Sequence, residues 1–223
     1  MRYAFCIIHY QYKVMKKKYT LTFALSKGRL AEKALEILAK CGVDTAPLLK
    51  KTRKLELFDG SGEYRFLFVK PSDVPIYVER GVADLGVVGK DTLLEDNRDI
   101  CEMLDLGFGQ CRLCVAGYKD RTPKEGNLRV GTKYINITKK FYDAKGMSPD
   151  IVQLYGSVEL APIVGLSDVI VDLVESGKTL EANGLSVLED ICNISARLCV
   201  NKVSLKMNKS EIMDLIERMG KVL

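Results

Sequence analysis

The sequence predicts an α/β protein of two lobes, each a parallel-rich sheet flanked by helices. Short apolar, β-branched runs alternate with segments whose apolar residues recur every three or four positions, which indicates strands alternating with helices. Such alternation favours parallel sheets with helices on both faces. A charged stretch at 119–127, with Pro123 and Gly126, interrupts it and predicts a hinge. Because ligands of such sheets bind at the carboxyl ends of strands, we expect the functional site in the cleft between the lobes.

Four strands are predicted before the hinge, at Thr20–Leu25, Tyr64–Val69, Leu85–Val88 and Arg112–Gly117. Helices separate them. The first helix has a regular apolar face and ends at Gly42, the second begins at Pro71-Ser72-Asp73 and ends at Gly81, and the third begins at Lys90.

The same alternation resumes after the hinge. The predicted strands are Arg129–Thr132, Ile151–Leu154, Asp168–Val174 and Ile194–Val200, and the predicted helices are Ile135–Lys145, one beginning at Ser157, and an amphipathic closing helix through Met219. We therefore divide the chain into an extension at 1–18, lobe I at 19–117 plus 193–223, and lobe II at 118–192.

The net charge of +5 is concentrated in the extension. Residues 1–18 contain five basic residues and no acid, so the rest of the chain is close to neutral. A nucleic-acid-binding protein should carry its basic surface on the folded part, which argues against that class. The apolar residues near Phe5 are too few for a signal peptide or a membrane span. We expect a cytoplasmic protein whose working chain starts near Met15.

The cysteines and the single histidine argue against several kinds of functional site. The seven cysteines form no disulfide framework, so we expect reduced thiols. Cys111 and Cys114 match C-x-x-C, but they fall in a predicted strand, where residues three apart point to opposite faces. This disfavours a metal or redox site. The single histidine, His9, lies in the extension, which nearly excludes a histidine base or a Ser-His-Asp triad.

Standard nucleotide motifs fail at one position each. Gly177-Lys178-Thr179 resembles the end of a P-loop, but Asp172 stands where the first glycine is required. Gly107 and Gly109 would need a third glycine where Arg112 stands.

The turn that follows the strand 168–174 suits a sugar phosphate. Ser176, Gly177 and Thr179 lead into a helix, where outward backbone N–H groups and hydroxyls favour an anion. Asp172 and Glu175 could accept hydrogen bonds from ribose hydroxyls or hold Mg²⁺ through water. The alternative is an ordinary strand–helix turn.

A second cationic turn, Ser26-Lys27-Gly28-Arg29, ends the first strand, and Lys51-Thr52-Arg53-Lys54 adds further cations. Lys27 and Arg29 stand where an anion would dock at a helix start. Each stretch alone could equally be solvated surface. Together with the turn in the other lobe, they favour two polyanionic substrates.

Five long segments resemble the ATP phosphoribosyltransferase family: ALSKGRL from Ala24, KPSDVPIYVERGVADLGVVGKDTLLE from Lys70, LDLGFGQCRL from Leu104, YGSVELAPIVGLSDVIVDLVESGKTLEANGL from Tyr155 and ISARLCVN from Ile194. The similarity runs from Thr20 to the C-terminus, and Ser26 departs from the proline common in the family. The resemblance implies a periplasmic-binding-protein type of fold. It also implies transfer of phosphoribose from phosphoribosyl pyrophosphate to N1 of ATP, the first step of histidine biosynthesis.

The resemblance also implies the roles of individual residues. The phosphoribosyl pyrophosphate site would contain Asp168, Asp172, Glu175, Ser176, Gly177, Lys178 and Thr179. The ATP site would contain Lys27, Gly28, Arg29 and Asp73. Arg29 and Arg53 would be catalytic by stabilising the departing pyrophosphate, and Mg²⁺ would be the cofactor, with Asp172 holding it through water.

The chain ends after the closing helix, so the resemblance is to the short form, which lacks a histidine-binding domain. That form implies a regulatory subunit similar to histidyl-tRNA synthetase, in a hetero-octamer, and a homodimer when alone. The competing hypothesis is a solute-binding protein without catalysis, which the fold alone does not exclude. Release of pyrophosphate from ATP and phosphoribosyl pyrophosphate would separate the two.

Overall fold

A computed structural model describes residues 19–50, 52–120 and 127–223. The predicted extension at 1–18 and most of the predicted hinge lie outside these ranges. Among the described residues, no helix has the length and apolar character that crossing a membrane requires.

Lobe I contains a six-stranded sheet in the order β2-β3-β1-β4-β11-β5. Its strands are β1 (Leu21–Ser26), β2 (Glu56–Phe58), β3 (Tyr64–Val69), β4 (Leu85–Gly89), β5 (Cys101–Asp105) and β11 (Ala196–Val200). The central strands β3, β1 and β4 are parallel, whereas β2, β11 and β5 pair antiparallel with their neighbours. The carboxyl ends of β1, β3 and β4 therefore meet at one edge.

Helices cover both faces of this sheet. They are α1 (Arg29–Lys40), α2 (Val74–Glu79), α3 (Lys90–Asp96), α7 (Lys202–Met207) and α8 (Lys209–Gly220), with short 3₁₀ turns at Ala46–Leu49 and Pro71–Asp73. The apolar faces of α1 and α8 pack on one side around Phe23 and Phe66, whose rings stack 5.1 Å apart. Helix α2 packs on the other side.

Lobe II contains a five-stranded sheet in the order β10-β6-β9-β7-β8. Its strands are β6 (Cys111–Gly117), β7 (Arg129–Thr132), β8 (Asp150–Gln153), β9 (Val169–Val174) and β10 (Ser186–Ile194). Helix α4 (Ile135–Asp143) covers one face, and α5 (Leu160–Ile163) and α6 (Lys178–Ala182) cover the other. Strands β8, β7 and β9 are parallel, so their carboxyl ends also share an edge.

The structure moves the predicted lobe boundaries. Strand β6, which the sequence division placed in lobe I, pairs with β9 and β10 in lobe II. The first crossing therefore lies between Asp105 and Cys111 rather than at 117/118. The predicted strand Ile194–Val200 is divided at Ser195, because Ile194 ends β10 while Ala196 begins β11. A strand's own sequence does not reveal its partner, and here each partner is distant along the chain.

Two chain crossings lie side by side at the lobe junction. The backbone N–H of Leu106 donates to the carbonyl of Ala196 at 2.9 Å, and the N–H of Ala196 donates to the carbonyl of Phe108 at 2.8 Å. The hydroxyl of Ser195 donates to Asp105 Oδ1 at 2.9 Å. These bonds tie the outgoing and returning chains together.

Candidate active site

A cleft lies between the carboxyl-end edges of the two sheets. Its main cavity is about 420 Å³, and residues from both lobes form the walls. Ser26, Lys27 and Arg29 come from lobe I, and Cys111 and Glu175 come from lobe II. A second cavity of about 440 Å³ adjoins it and shares Cys111 and Glu175. The structure thus brings the two predicted anion-binding turns to one space.

Lobe I contributes the turn between β1 and α1. Strand β1 ends at the buried Ser26, and Gly28 has φ of 104°, a conformation that favours glycine. Gly28 is the N-cap of α1 without a side-chain cap, so the first N–H groups of this twelve-residue helix are left for other acceptors. The exposed side chains of Lys27 and Arg29 flank them. The turn therefore suits a phosphate.

Lobe II contributes the predicted phosphate loop, Glu175–Thr179. It follows directly after β9, and Gly177 has φ of 76° at the N-cap of α6. Leu180 is buried beneath the loop and anchors it, while Ser176, Lys178 and Thr179 are exposed. Nη2 of Arg29 lies 3.1 Å from Oε2 of Glu175, so the loop faces the cationic turn of the other lobe.

Asp172 lies deeper in lobe II, two residues before the end of β9. It is half-buried, and its Oδ1 accepts a hydrogen bond from the N–H of Leu173 at 2.8 Å. Burial raises the pKa of Asp172, although that N–H and the ammonium of Lys133 oppose the rise, and the carboxylate of Asp91 adds to it. A raised pKa marks a carboxylate that gains from a cationic or hydrogen-bond-donating ligand.

Asp168 does not join this group, which corrects its predicted place near the ribose. It precedes β9 at the amino-terminal end, whereas Glu175 follows the carboxyl end, and six extended residues span about 20 Å. Its carboxylate accepts hydrogen bonds from the side chain and backbone N–H of Arg129, at 2.8 to 3.2 Å. Asp168 therefore joins β7 to β9 at the far edge of the sheet.

The remaining predicted residues lie around the lobe I side of the cleft. Asp73 ends the 3₁₀ turn after β3, accepts a hydrogen bond from Ser72 Oγ at 3.1 Å and is two residues beyond Pro71, which lines the cleft. Arg53 is exposed, and its neighbours Thr52 and Lys54 line a separate pocket of about 310 Å³. Lys27 lines both spaces, so this pocket opens beside the cleft.

Two functional candidates were missed by sequence reasoning. Asp91, in the first turn of α3, lines the cleft, and its Oδ2 accepts a hydrogen bond from the hydroxyl of Tyr134 in lobe II at 2.8 Å. An acid just after the strand β4 was a usable signal for Asp91. Tyr134 gives no such signal, since its role depends on contact between the lobes.

The two cysteines of the C-x-x-C sequence lie on opposite faces of β6, as predicted. Cys111 packs with the α4 side of the sheet and Cys114 with the α5–α6 side. Burial raises the pKa of both thiols, that of Cys114 to about 12. Both are therefore protonated at neutral pH. The described residues contain no group of three side chains able to hold a metal ion.

The sequence matches the family model HisG, ATP phosphoribosyltransferase, over residues 70–221. An ATP phosphoribosyltransferase of Ruminiclostridium cellulolyticum is 53% identical over 201 residues, covering 88% of this chain and 94% of the relative. One from Clostridioides difficile is 52% identical over 198 residues, covering 88% and 95%.

Two solved structures share the fold. A chain of the ATP phosphoribosyl transferase (HisG:HisZ) complex from Thermotoga maritima superposes with a TM-score of 0.78 and 37% identity, covering 91% of this chain and 98% of that one. A putative L-cystine ABC transporter protein from Listeria monocytogenes has a TM-score of 0.55 at 13% identity, covering 92% and 90%. The second likeness concerns the fold alone and agrees with the predicted periplasmic-binding-protein type.

Proposed function

Because this chain belongs to the ATP phosphoribosyltransferase family, we propose that its two substrates meet in the cleft between the lobes. The chain transfers the 5-phosphoribosyl group of phosphoribosyl pyrophosphate to N1 of ATP, giving phosphoribosyl-ATP and pyrophosphate, the first step of histidine biosynthesis. The site assignment rests on one observation: the cationic turn at Lys27–Arg29 and the loop at Glu175–Thr179 face each other, with Nη2 of Arg29 3.1 Å from Oε2 of Glu175.

Phosphoribosyl pyrophosphate is assigned to the lobe II wall. Its 5′-phosphate would accept hydrogen bonds from the backbone N–H groups and hydroxyls of the loop Glu175–Thr179, where Gly177 permits close approach. Asp172, which lies in β9 three residues before Glu175, would accept hydrogen bonds from ribose hydroxyls. Asp168 is left out, because it lies at the opposite end of β9.

ATP is assigned to the lobe I wall. Lys27, Gly28 and Arg29 would bind its phosphates, and the pocket beside them adds Lys54 and an apolar floor of Leu35, Leu48 and Leu57. Asp73, two residues beyond Pro71 of the cleft wall, is also assigned to ATP. Arg53 is adjacent and would meet the leaving pyrophosphate.

The transfer forms the bond between N1 of adenine and C1′ and breaks the bond between C1′ and the pyrophosphate oxygen. N1 already carries a lone pair, so the chain needs no strong base, which agrees with a single histidine at position 9. The ribose becomes oxocarbenium-like while negative charge grows on pyrophosphate. Arg29 and Arg53 would stabilise that charge, and the walls would hold N1 in line with C1′.

Mg²⁺ is proposed as the metal. This ion commonly keeps several waters and takes one or two carboxylates together with substrate phosphates, so it needs no all-protein cage. Asp172 fits that mode, because it is a half-buried carboxylate near the carboxyl end of β9 and would hold the ion through water. When bound, the ion would neutralise charge on the pyrophosphate.

We also propose a regulatory subunit similar to histidyl-tRNA synthetase. The chain superposes on 98% of the length of a chain from the Thermotoga maritima HisG:HisZ complex. It would then act as the catalytic subunit of a short form, in a hetero-octamer with that partner. We place the reaction in the cytoplasm, where thiols stay reduced, since all six cysteines among the described residues are free.

The test is an assay of the chain with ATP, phosphoribosyl pyrophosphate and Mg²⁺, with and without the candidate partner. Absorbance of phosphoribosyl-ATP should rise together with released pyrophosphate. Lys178→Ala and Arg29→Ala should each reduce that rate, since they lie on opposite walls. Binding of both compounds without turnover would instead identify a solute-binding protein.

A further inference from the structure

Asp91 stands on the cleft wall without a role in the reaction described above. It lies in the first turn of α3, close to the end of β4, and lines the main cavity with Lys27, Arg29 and Glu175. A carboxylate in a cavity built for polyanions repels phosphate. A substrate group that donates hydrogen bonds would suit this carboxylate, and ATP and phosphoribosyl pyrophosphate offer hydroxyl and amino donors.

Asp91 is held in place by the opposite lobe. Its Oδ2 accepts the hydroxyl of Tyr134 at 2.8 Å, and Tyr134 is only 3% exposed. Burial, then the charge of Asp91, raises the pKa of Tyr134 above its usual range, so the phenol stays protonated and donates. The other carboxylate oxygen lies so close to Gly89 that a Cβ there would sit 2.1 Å from Oδ1. These contacts leave Asp91 little rotational freedom.

Tyr134 is itself rigid. Its backbone N–H donates to Thr132 Oγ1 at 2.9 Å, and that hydroxyl donates to the carbonyl of Val171 at 2.7 Å. Its ring packs in the core cluster of the α4 side, with Val130 and Ile137. The hydroxyl is therefore presented to Asp91 from a fixed point of lobe II.

A second carboxylate of α3 fixes the same junction. Glu95, one turn after Asp91, accepts hydrogen bonds from the backbone N–H groups of Asn136 and Ile137 at 2.9 to 3.1 Å. Its own carbonyl accepts the side-chain amide of Asn136 at 2.9 Å. Residues four apart share a helix face, so Asp91 and Glu95 both point at the start of α4. The distance between the lobes thus sets where Asp91 stands.

We propose that Tyr134 is a positioning residue, which holds the Asp91 carboxylate on the cleft wall so that Asp91 accepts a hydrogen bond from a hydroxyl or amino group of a substrate. This inference rests on the proposed location of both substrates in the cleft. Asp91 touches substrate, whereas Tyr134 acts only through Asp91. The two residues should therefore behave as one unit in catalysis.

A double-mutant cycle tests this with the full chain and its regulatory partner. Tyr134→Phe should lower kcat/KM about tenfold, the effect of losing one hydrogen bond to a charged group, and Asp91→Ala should lower it further. Adding Tyr134→Phe to Asp91→Ala should cause no additional loss beyond about twofold. The proposal would be overturned if the double variant lost the product of the two single reductions in kcat/KM. Wild-type kinetics in either single variant would also overturn it.

Two controls separate other causes. Tyr142→Phe removes a hydroxyl from the same buried cluster, away from the cleft, and should keep wild-type kcat/KM. If it matched Tyr134→Phe, the effect would be general loosening of lobe II and the proposal would fail. Asp91→Asn retains the side-chain shape and should also lower kcat/KM. It takes the place of Asp91→Ala in the cycle if the alanine variant folds poorly. Lys178→Ala tests the proposed substrate site itself. Unchanged kinetics in that variant would overturn the proposed location of the substrates rather than the role of Tyr134.

Donor-deficient substrates then identify the group that Asp91 binds. With 2′-deoxy-ATP, 3′-deoxy-ATP or purine riboside triphosphate, the analogue that lacks the bound donor should react equally well with wild type and Asp91→Ala. If every analogue retained the full wild-type advantage, the bound donor would belong to phosphoribosyl pyrophosphate.

Discussion

Arg29 and Glu175 meet across the cleft, with Nη2 of the guanidinium 3.1 Å from Oε2 of the carboxylate. They are 146 residues apart in sequence and belong to different lobes. Their side chains are 78% and 64% exposed, so the pair adds little to stability. A phosphate entering the cleft competes with Glu175 for Arg29, so substrate binding would rearrange this contact.

Glu175→Gln should therefore change binding more than folding. We expect a melting temperature within about 2 °C of wild type, because exposed ion pairs contribute little. The KM for phosphoribosyl pyrophosphate should rise about tenfold, since an amide accepts weaker hydrogen bonds from the ribose hydroxyls than the Glu175 carboxylate does. Glu56→Gln, which breaks an ion pair with Arg65 outside the cleft, should leave the KM unchanged. A large loss of thermal stability without a KM effect would contradict the site assignment.

Arg53→Ala should lower kcat more than it raises KM. A group that stabilises charge in the transition state contributes about 3 kcal/mol, or about a hundredfold in kcat. Steady-state kinetics with both substrates would measure this, with Arg80→Ala at the far end of α2 as the control. A change in KM alone would refute the role with the leaving group.

Gly177→Ala should cost stability and binding together. At φ of 76°, alanine is strained by about 1 kcal/mol, although its Cβ would meet Val174 at an acceptable 3.9 Å. We expect a fall in melting temperature of about 2–4 °C and a higher KM for phosphoribosyl pyrophosphate. Gly146→Ala has φ of 68° and open space, so it should lower the melting temperature equally without the KM effect.

Asp172→Asn should stabilise the protein while reducing activity. Burial raises the pKa of Asp172, so the folded chain holds this proton more tightly than the unfolded chain. Ionising the buried carboxylate therefore destabilises the folded chain. This loss of stability is absent below the pKa of the unfolded chain, about 3.9, and is complete above the raised pKa of the folded chain. The gain in melting temperature should therefore be full at pH 7.5 and shrink as the pH falls toward 4. A destabilised variant at neutral pH would contradict this sign.

Asp168→Asn should destabilise the protein without changing its kinetics. The change weakens the ionic contacts with Arg129 at the far edge of the lobe II sheet. We expect the melting temperature to fall by about 5 °C while kcat and both KM values stay near wild type. Loss of activity at unchanged stability would return Asp168 to the substrate site.

Local sequence patterns predicted most strands and the two glycine-containing turns that face each other at the cleft. Apolar runs and glycines such as Gly28 and Gly177 act within a few residues, so their signal is readable without a structure. The strand β10 was missed for a physical reason. Bulges at Val187/Glu189 and Asp190/Cys192 break the alternation of faces on which strand prediction depends.

Features that depend on pairing between distant segments were not readable. The sequence of β6 is plainly that of a strand, yet only its register with β9 shows that it belongs to lobe II. Asp168 and Asp172 lie in one apolar run of the sequence. In the folded chain Asp168 lies at the amino-terminal end of β9 and Asp172 lies near its carboxyl end, so they do not share a site. Tyr134 looks like a core tyrosine until Asp91 of the other lobe is seen beside it.

The paired crossings have a consequence for how the chain folds as it is synthesised. All five strands of lobe II are complete when Ile194 is made, and its first and last strands begin and end side by side. Lobe I cannot close at that moment, because β11 separates β4 from β5 and has not yet been translated. Lobe II therefore takes all its strands from one continuous stretch, 111–194, whereas the sheet of lobe I can be completed only after the segment that contains β11 has been made.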